Sequence, residues 1–282
     1  MLESAIGVDL GGTKALFVSG PHSLRFDTGP SLSIADFAAM LDAFMASSRV
    51  RPARIGIAVP GLVDVDGRVV ACDVLPGLAG WQPSTALRGL GCAIAVVNDV
   101  EAALREELHD APPGLTAGVV MAGTAIGAAF VVDGAPLRGT SGWAGELGYF
   151  PCVVDGQTRR LDEIAGGAAM AARRGVAPAK LAELALAAEP ESLALIDAGG
   201  SALGLGLAAV VNLLNPSRLA LGGGALDLPG YRDAAERAAR QHSIPALWND
   251  CTIARVAAGE RVVALGALRA PLAPSLQRAA ST

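Results

Sequence analysis

Apolar residues along this chain keep two different rhythms. Short, nearly unbroken apolar runs at residues 5–10, 15–18, 54–59, 93–97, 117–122, 126–132, 218–221 and 252–256 predict buried strands. Between them, residues 36–45 and 101–108 carry apolar positions at helical spacing. From Asp162 onward the pattern is mostly helical, with Pro178 and Pro190 as breaks, a long apolar helix over 193–214 and a last helix over 261–269. Asp66-Gly67, Asp133-Gly134 and Asp155-Gly156 predict hairpin turns, and Pro60-Gly61 closes the strand before it. Strands alternating with helices predict an α/β fold. The Pro-rich stretch Asp110-Ala111-Pro112-Pro113-Gly114 predicts a domain boundary.

One pattern is used twice. Gly7-Val8-Asp9-Leu10-Gly11-Gly12-Thr13-Lys14 recurs as Gly118-Val119-Val120-Met121-Ala122-Gly123-Thr124-Ala125. Each copy is an apolar strand, a small-residue turn ending Gly-Thr, and a second apolar run. Such a repeat predicts two similar domains. Gly-Thr turns let backbone N–H groups and a hydroxyl approach an anion, so two of them predict a phosphate held between the domains. On this alignment Asp9 has Val120 as its counterpart, so only the first copy carries a carboxylate.

Bulk composition narrows the field. The chain has 282 residues, enough for two domains, and 52% hydrophobic residues argue against disorder. A net charge of −5 offers no electrostatic case for nucleic acid or an anionic membrane. Cys72, Cys92, Cys152 and Cys251 form no CxxC pair and suit a reducing compartment. Without a basic, apolar leader, the expectation is a cytoplasmic protein.

Four segments could carry chemistry, and each has a plainer structural reading. Asp9, Gly11, Gly12, Thr13 and Lys14 place a carboxylate, two glycines, a hydroxyl and an ammonium together. They could hold Mg²⁺ through water and phosphate oxygens, or form a Gly-rich hairpin with a solvated Asp. Asn98 and Asp99 end an apolar strand, where α/β folds bind ligands. They could meet a sugar hydroxyl and accept its proton, or cap a helix. Gly139 to Gly148 is a small-residue loop holding one carboxylate, Glu146. It reads as a site or as a flexible connection. Gly222-Gly223-Gly224 follows a strand and could admit a flat ligand such as adenine, or turn the chain.

Taken in order, these residues resemble the ROK family (repressor, open reading frame, kinase). The resemblance rests on Asp9-x-Gly-Gly-Thr-Lys, Val59-Pro60-Gly61 with Asp64, Asn98-Asp99, Gly123-Thr124, Ala144-Gly145-Glu146-Leu147-Gly148, and Asn215-Pro216 leading into Gly222-Gly223-Gly224. It covers about residues 5 to 270 and is similar to the sugar-kinase branch, such as glucokinases and N-acetylmannosamine kinases. The resemblance implies two actin-like (ribonuclease H-like) α/β domains with a ligand cleft between them. The expected domains are 1–113, joined by a C-terminal helix at about 259–282, and 114–258. By the same resemblance Asp99 is the general base. Gly61, Asn98, Asp99, Glu146, Tyr149 and Asp162 meet the sugar. Asp9, Gly11, Gly12, Thr13, Lys14, Gly123, Thr124, Gly222, Gly223 and Gly224 meet ATP, with Asp9 nearest Mg²⁺.

The chain also departs from the family pattern. Tyr149 stands where the family usually has a His, and the following stretch keeps only Cys152 of a Cys-rich zinc run, so no structural zinc is expected. Asp162 aligns with the closing Glu of that run. Ala125 and Ala128 stand where the second phosphate loop often has Gly, and their methyls are expected near the phosphates. The expected activity is ATP-dependent phosphorylation of a hexose or N-acyl-hexosamine on its 6-hydroxyl by a homodimer without nucleic-acid or membrane partners. The alternatives are a degenerate sugar sensor without kinase activity, and a chaperone-like or filament-like actin-fold ATPase.

Overall fold

A computed structural model describes residues 4–154 and 156–270. These divide into two compact units. The first comprises 4–110, 139–143 and 257–270; the second comprises 111–138 and 144–256 without residue 155.

The first unit is built on strands β1 (Ala5–Leu10), β2 (Lys14–Ser19), β3 (His22–Asp27), β4 (Arg54–Val59) and β7 (Ala93–Asn98). A short pair, β5 (Leu62–Val63) and β6 (Val69–Ala71), follows β4. The main sheet runs β3-β2-β1-β4-β7. β1 pairs antiparallel with β2 and β2 with β3, whereas β1, β4 and β7 are parallel. One face packs on the helix Ile34–Ser48, which a reciprocal Ser33–Asp36 capping box starts. Phe17, Phe37, Phe44 and Trp81 interlock in the core there, Phe37 and Trp81 edge to face with centroids 4.9 Å apart. The helix Val262–Ala267 packs against β1, β4 and the helix Asp99–Glu107. At Gly7 a Cβ would lie 2.1 Å from the Ala264 carbonyl oxygen, so the strand must lack a side chain where that helix presses on it.

The second unit repeats the plan. Its strands are β8 (Ala117–Ala122), β9 (Ile126–Val132), β10 (Ala135–Pro136), the hairpin β11 (Pro151–Val154) and β12 (Gln157–Arg160), β13 (Arg218–Gly222) and β14 (Thr252–Arg255). The main sheet runs β10-β9-β8-β13-β14, with the same two antiparallel and two parallel pairings. The duplication therefore extends to the whole sheet, not only to the Gly-Thr turn. Its core is organised by the helix Pro190–Leu214, which packs along the helix Tyr231–His242. The helix before this one, Pro178–Leu186, ends short of Pro190, so the expected break is there and Pro190 opens the next helix. It takes the first helical position, where its missing N–H costs nothing, and the Glu189 carboxylate accepts from the Ser192 amide at 2.8 Å. This 25-residue helix is long and apolar enough to cross a membrane. Its Ile196, Leu203, Leu207 and Val211 instead fill the unit's core.

Several expected boundaries shift. At Asp66-Gly67 the turn spans 64–68, because the Asp64 carboxylate accepts from the amides of Asp66 and Arg68, each at 2.9 Å. Asp133-Gly134 forms the two-residue turn, both residues at positive φ. β11 and β12 form the third hairpin, but Asp155 lies outside the described residues. The last helix is Val262–Ala267, shorter than 261–269, and 271–282 lie outside the described residues.

Candidate functional site

In the first unit, the candidate residues gather where the parallel strands β1, β4 and β7 end. Asp9 is the penultimate residue of β1 and pairs with Ala58 of β4, which pairs with Val97 of β7. Asn98 closes β7 and Asp99 opens the next helix. Asn98 is the N-cap: its Oδ1 accepts from the amides of Val100 at 2.9 Å and Glu101 at 3.2 Å. The capping alternative is therefore correct, and it leaves the amide nitrogen for other work. Nδ2 donates to the Gly61 carbonyl at 3.1 Å, tying the turn after β4 to the helix start. An amide carries two N–H donors, and this bond uses one. Asp99 Oδ1 accepts from the Val100 amide at 2.9 Å.

Asp9 is half-buried, and its carboxyl is pushed up to about 7. Burial is the largest cause and the nearby Asp99 carboxylate the next, while Lys14 pulls the other way. A carboxylate in that setting gains from a cation.

The first Gly-rich turn, residues 11–14, is tightly held. The Gly11 amide donates to the Lys14 carbonyl at 2.9 Å. At Gly12 a Cβ would lie 2.1 Å from Val74 Cγ1, so a side chain there would force Val74 to move. Thr13 and Lys14 are exposed. Two residues without a motif of their own join this group. Thr28 holds the turn's carbonyls by its hydroxyl and its amide. The Cys72 thiol donates to the Pro60 carbonyl at 3.4 Å, and burial pushes it up.

In the second unit the turn is one residue shorter. Leu10 pairs with Ala15 across residues 11–14, whereas Ala122 pairs with Ile126 across 123–125. Aligned from the turn, the counterpart of Asp9 is Met121 rather than Val120, and both sit half-buried one residue before the strand end. The Gly123 amide donates to Ala125, and the carbonyls of Gly123 and Thr124 accept from Gly167 at 2.8 Å and Ala168 at 3.3 Å. Ala125 is exposed in the turn, but Ala128 belongs to the packed core, so its methyl does not stand at the turn.

Asp162 links this turn to the Glu146 loop. Its Oδ1 accepts from the Ile126 amide at 2.5 Å, and its carboxylate lies where a Gly148 side chain would be. Burial and then Asp162 raise the Glu146 carboxyl; burial is the main cause of the rise at Asp162. Glu163 turns the other way, accepting from the Arg160 amide at 3.0 Å. Tyr149 is 55% exposed, with the Arg160 guanidinium 4.7 Å from its ring centroid.

Gly222 and Gly223 have packing reasons. Gly222 pairs with Met121, whose sulfur lies where a side chain would go. Gly223 has φ +95°, and a Cβ there would lie 2.3 Å from the Ala122 carbonyl oxygen. Gly224 is exposed and open. Among the described residues, no group of three or more His, Cys, Asp or Glu is placed to hold a metal.

The ROK family model matches residues 5–270. The chain belongs to the ROK family. It is 30% identical over 244 residues to a kanosamine kinase of Amycolatopsis mediterranei, covering 78% of this chain and 80% of that kinase. The structure of a Thermus thermophilus ROK hexokinase matches at 26% identity and TM-score 0.75, covering 98% of this chain and 99% of that one. A Streptomyces griseus ROK glucokinase, in complex with glucose and AMPPNP, matches at TM-score 0.78 and 21% identity, covering 94% and 98%. The two sheets of this ROK protein are thus those of the actin-like ATPase fold.

Proposed function

We propose that this ROK protein is an ATP-dependent sugar kinase acting on the 6-hydroxyl of a hexose or N-acyl-hexosamine. The observation that carries the reading is the group at the end of the first sheet. Asp99 stands beside Asn98, Asn98 holds the Gly61 turn, and Asp9 stands beside a Gly-rich turn. The kanosamine kinase, hexokinase and glucokinase named above support the sugar-kinase class.

In this reading Asp99 accepts the proton of the attacking hydroxyl, while Gly61, Asn98, Glu146, Tyr149 and Asp162 orient the sugar. The backbone amides of the two Gly-Thr turns and the Thr13 and Thr124 hydroxyls hold phosphate oxygens, with Lys14 as a further positive charge. Gly224, the open glycine, borders the adenosine, and Gly222 and Gly223 shape the loop behind it. A carboxylate is a weak base toward an alcohol. That suffices, because phosphoryl transfer depends mainly on positioning and charge stabilisation. The donor set fits Mg²⁺: the Asp9 carboxylate lies close to a like-charged neighbour and would hold the ion through water. Mg²⁺ would supply charge neutralisation at the phosphates. Tyr149 and the single Cys152 argue against a structural zinc here. Cytoplasmic action as a homodimer, without nucleic acid, completes the reading; a net charge of −5 gives no electrostatic case for nucleic acid.

A sugar-binding sensor is the second reading, favoured by the exposed Ala125 methyl in the second turn. ADP release across glucose, mannose, N-acetylglucosamine, N-acetylmannosamine and kanosamine decides between them, together with direct sugar binding. Sugar-dependent ADP release supports the kinase. Tight sugar binding without ADP release supports the sensor. Neither binding nor turnover overturns both.

A further inference from the structure

We infer that Thr28 is a positioning residue for the first phosphate turn, setting its amides for the nucleotide from behind. The inference rests on the kinase reading of that turn. Thr28 follows β3 and is half-buried. Its Oγ1 donates to the Gly11 carbonyl at 2.6 Å, and its amide donates to the Thr13 carbonyl at 3.1 Å. In a trans peptide the C=O and the next N–H lie in one plane and point in opposite directions. Fixing the carbonyls of Gly11 and Thr13 on Thr28 therefore turns the N–H groups of Gly12 and Lys14 away from it. Those two amides are set before a ligand arrives, and preorganised donors do not lose free energy to reorientation on binding. A bond of 2.6 Å is at the short end for a hydroxyl donor, consistent with a firm hold.

The second unit solves the same problem with different atoms. There the carbonyls of Gly123 and Thr124 are held by the amides of Gly167 and Ala168. Both Gly-Thr turns thus have two carbonyls pinned from outside the hairpin. In the first turn one of the two pins is a side chain, so substitution can test it. The same bonds within an idle hairpin would brace the fold and leave nucleotide affinity untouched.

The test compares Thr28→Val, which keeps the shape and the backbone amide but loses the hydroxyl, with Thr28→Ser, which restores the hydroxyl. ATP and sugar dissociation constants are measured separately by calorimetry, with kcat and KM for each substrate and thermal melts of every variant. Thr28→Ala replaces the valine variant if that one does not fold. The expected result is an ATP Kd and KM raised about tenfold by loss of one positioned hydrogen bond. The sugar Kd stays unchanged, and Thr28→Ser returns to within about twofold of wild type. Wild-type ATP binding in the hydroxyl-less variant overturns the inference while leaving the kinase reading intact. So does an equal loss of ATP and sugar binding that tracks the melting temperature. A wild-type protein that binds no ATP overturns both.

Discussion

Asp9 and Asp99 approach each other at one end of the first sheet, and the Asp99 carboxylate, after burial, is what pushes Asp9 up to about 7. Two carboxylates held together in a partly desolvated place weaken a fold that has no cation there. The ordinary Asp value is 3.8, so between that and about 7 the unfolded chain has released a proton that the folded chain keeps. Rising pH then favours unfolding across the window, and the loss is complete above it. Asp9→Asn removes the titration. Without Mg²⁺ and nucleotide the variant is expected to exceed wild type in stability near pH 8 by on the order of a few kcal/mol, converging near pH 4. Urea unfolding at both pH values checks this, and a gap independent of pH would refute it. The variant is also expected to lose ATP turnover, a trade of function for stability.

Asp99→Asn is the direct test of the proposed base. Asn98 is the helix cap, and the amide oxygen of Asp99→Asn can still accept from the Val100 amide, so the helix start is expected to hold. The variant should melt close to wild type and keep its sugar affinity, while kcat falls by a factor on the order of 10² to 10⁴. Calorimetry and coupled ADP release measure the two quantities separately. Turnover within a few-fold of wild type would remove Asp99 from the mechanism.

Asn98 does two jobs that different substitutions separate. Asn98→Ala loses two cap acceptances and the bond to Gly61, and is expected to cost about 1–2 kcal/mol of stability. Asn98→Ser keeps a capping oxygen but cannot reach as the amide does. It should recover much of the stability while the sugar KM stays raised. If the serine variant restores both, the Gly61 bond has no part in sugar binding.

Much of this fold is legible in the apolar runs, because strands buried on both faces carry almost no charge. The duplicated turn is legible too, but its register is not. The first turn has four residues and the second three, so matching residue by residue sets Val120 opposite Asp9 where the ladders set Met121. The breaks at Pro178 and Pro190 are legible, but a proline signals both an end and a first turn, and only the structure shows that each opens the helix after it. At the candidate site the motif residues mark themselves, since glycines, paired polar residues and strand ends stand out in an apolar chain. Thr28 does not, because it acts on backbone carbonyls, and a carbonyl leaves no trace in residue type. Likewise the close approach behind Gly223 depends on Ala122, about a hundred residues away, and no local pattern reveals it.

The three consecutive glycines after β13 therefore separate into structural and ligand-facing positions. At Gly223 an alanine meets a backbone conformation rare for a side chain and a carbonyl oxygen 2.3 Å from its Cβ. Gly223→Ala is expected to destabilise the protein by about 1–3 kcal/mol or more, because neither the strand β8 nor the turn can yield cheaply. At Gly224 the same methyl meets nothing within 4 Å, so Gly224→Ala should leave the melting temperature within a degree or two of wild type. If adenosine lies against that glycine, the ATP KM of Gly224→Ala rises several-fold while the sugar KM holds. Melts and initial rates on the two variants measure both effects. An unchanged ATP KM in Gly224→Ala would mean that the glycine run serves β8 packing alone and that the adenosine site lies elsewhere.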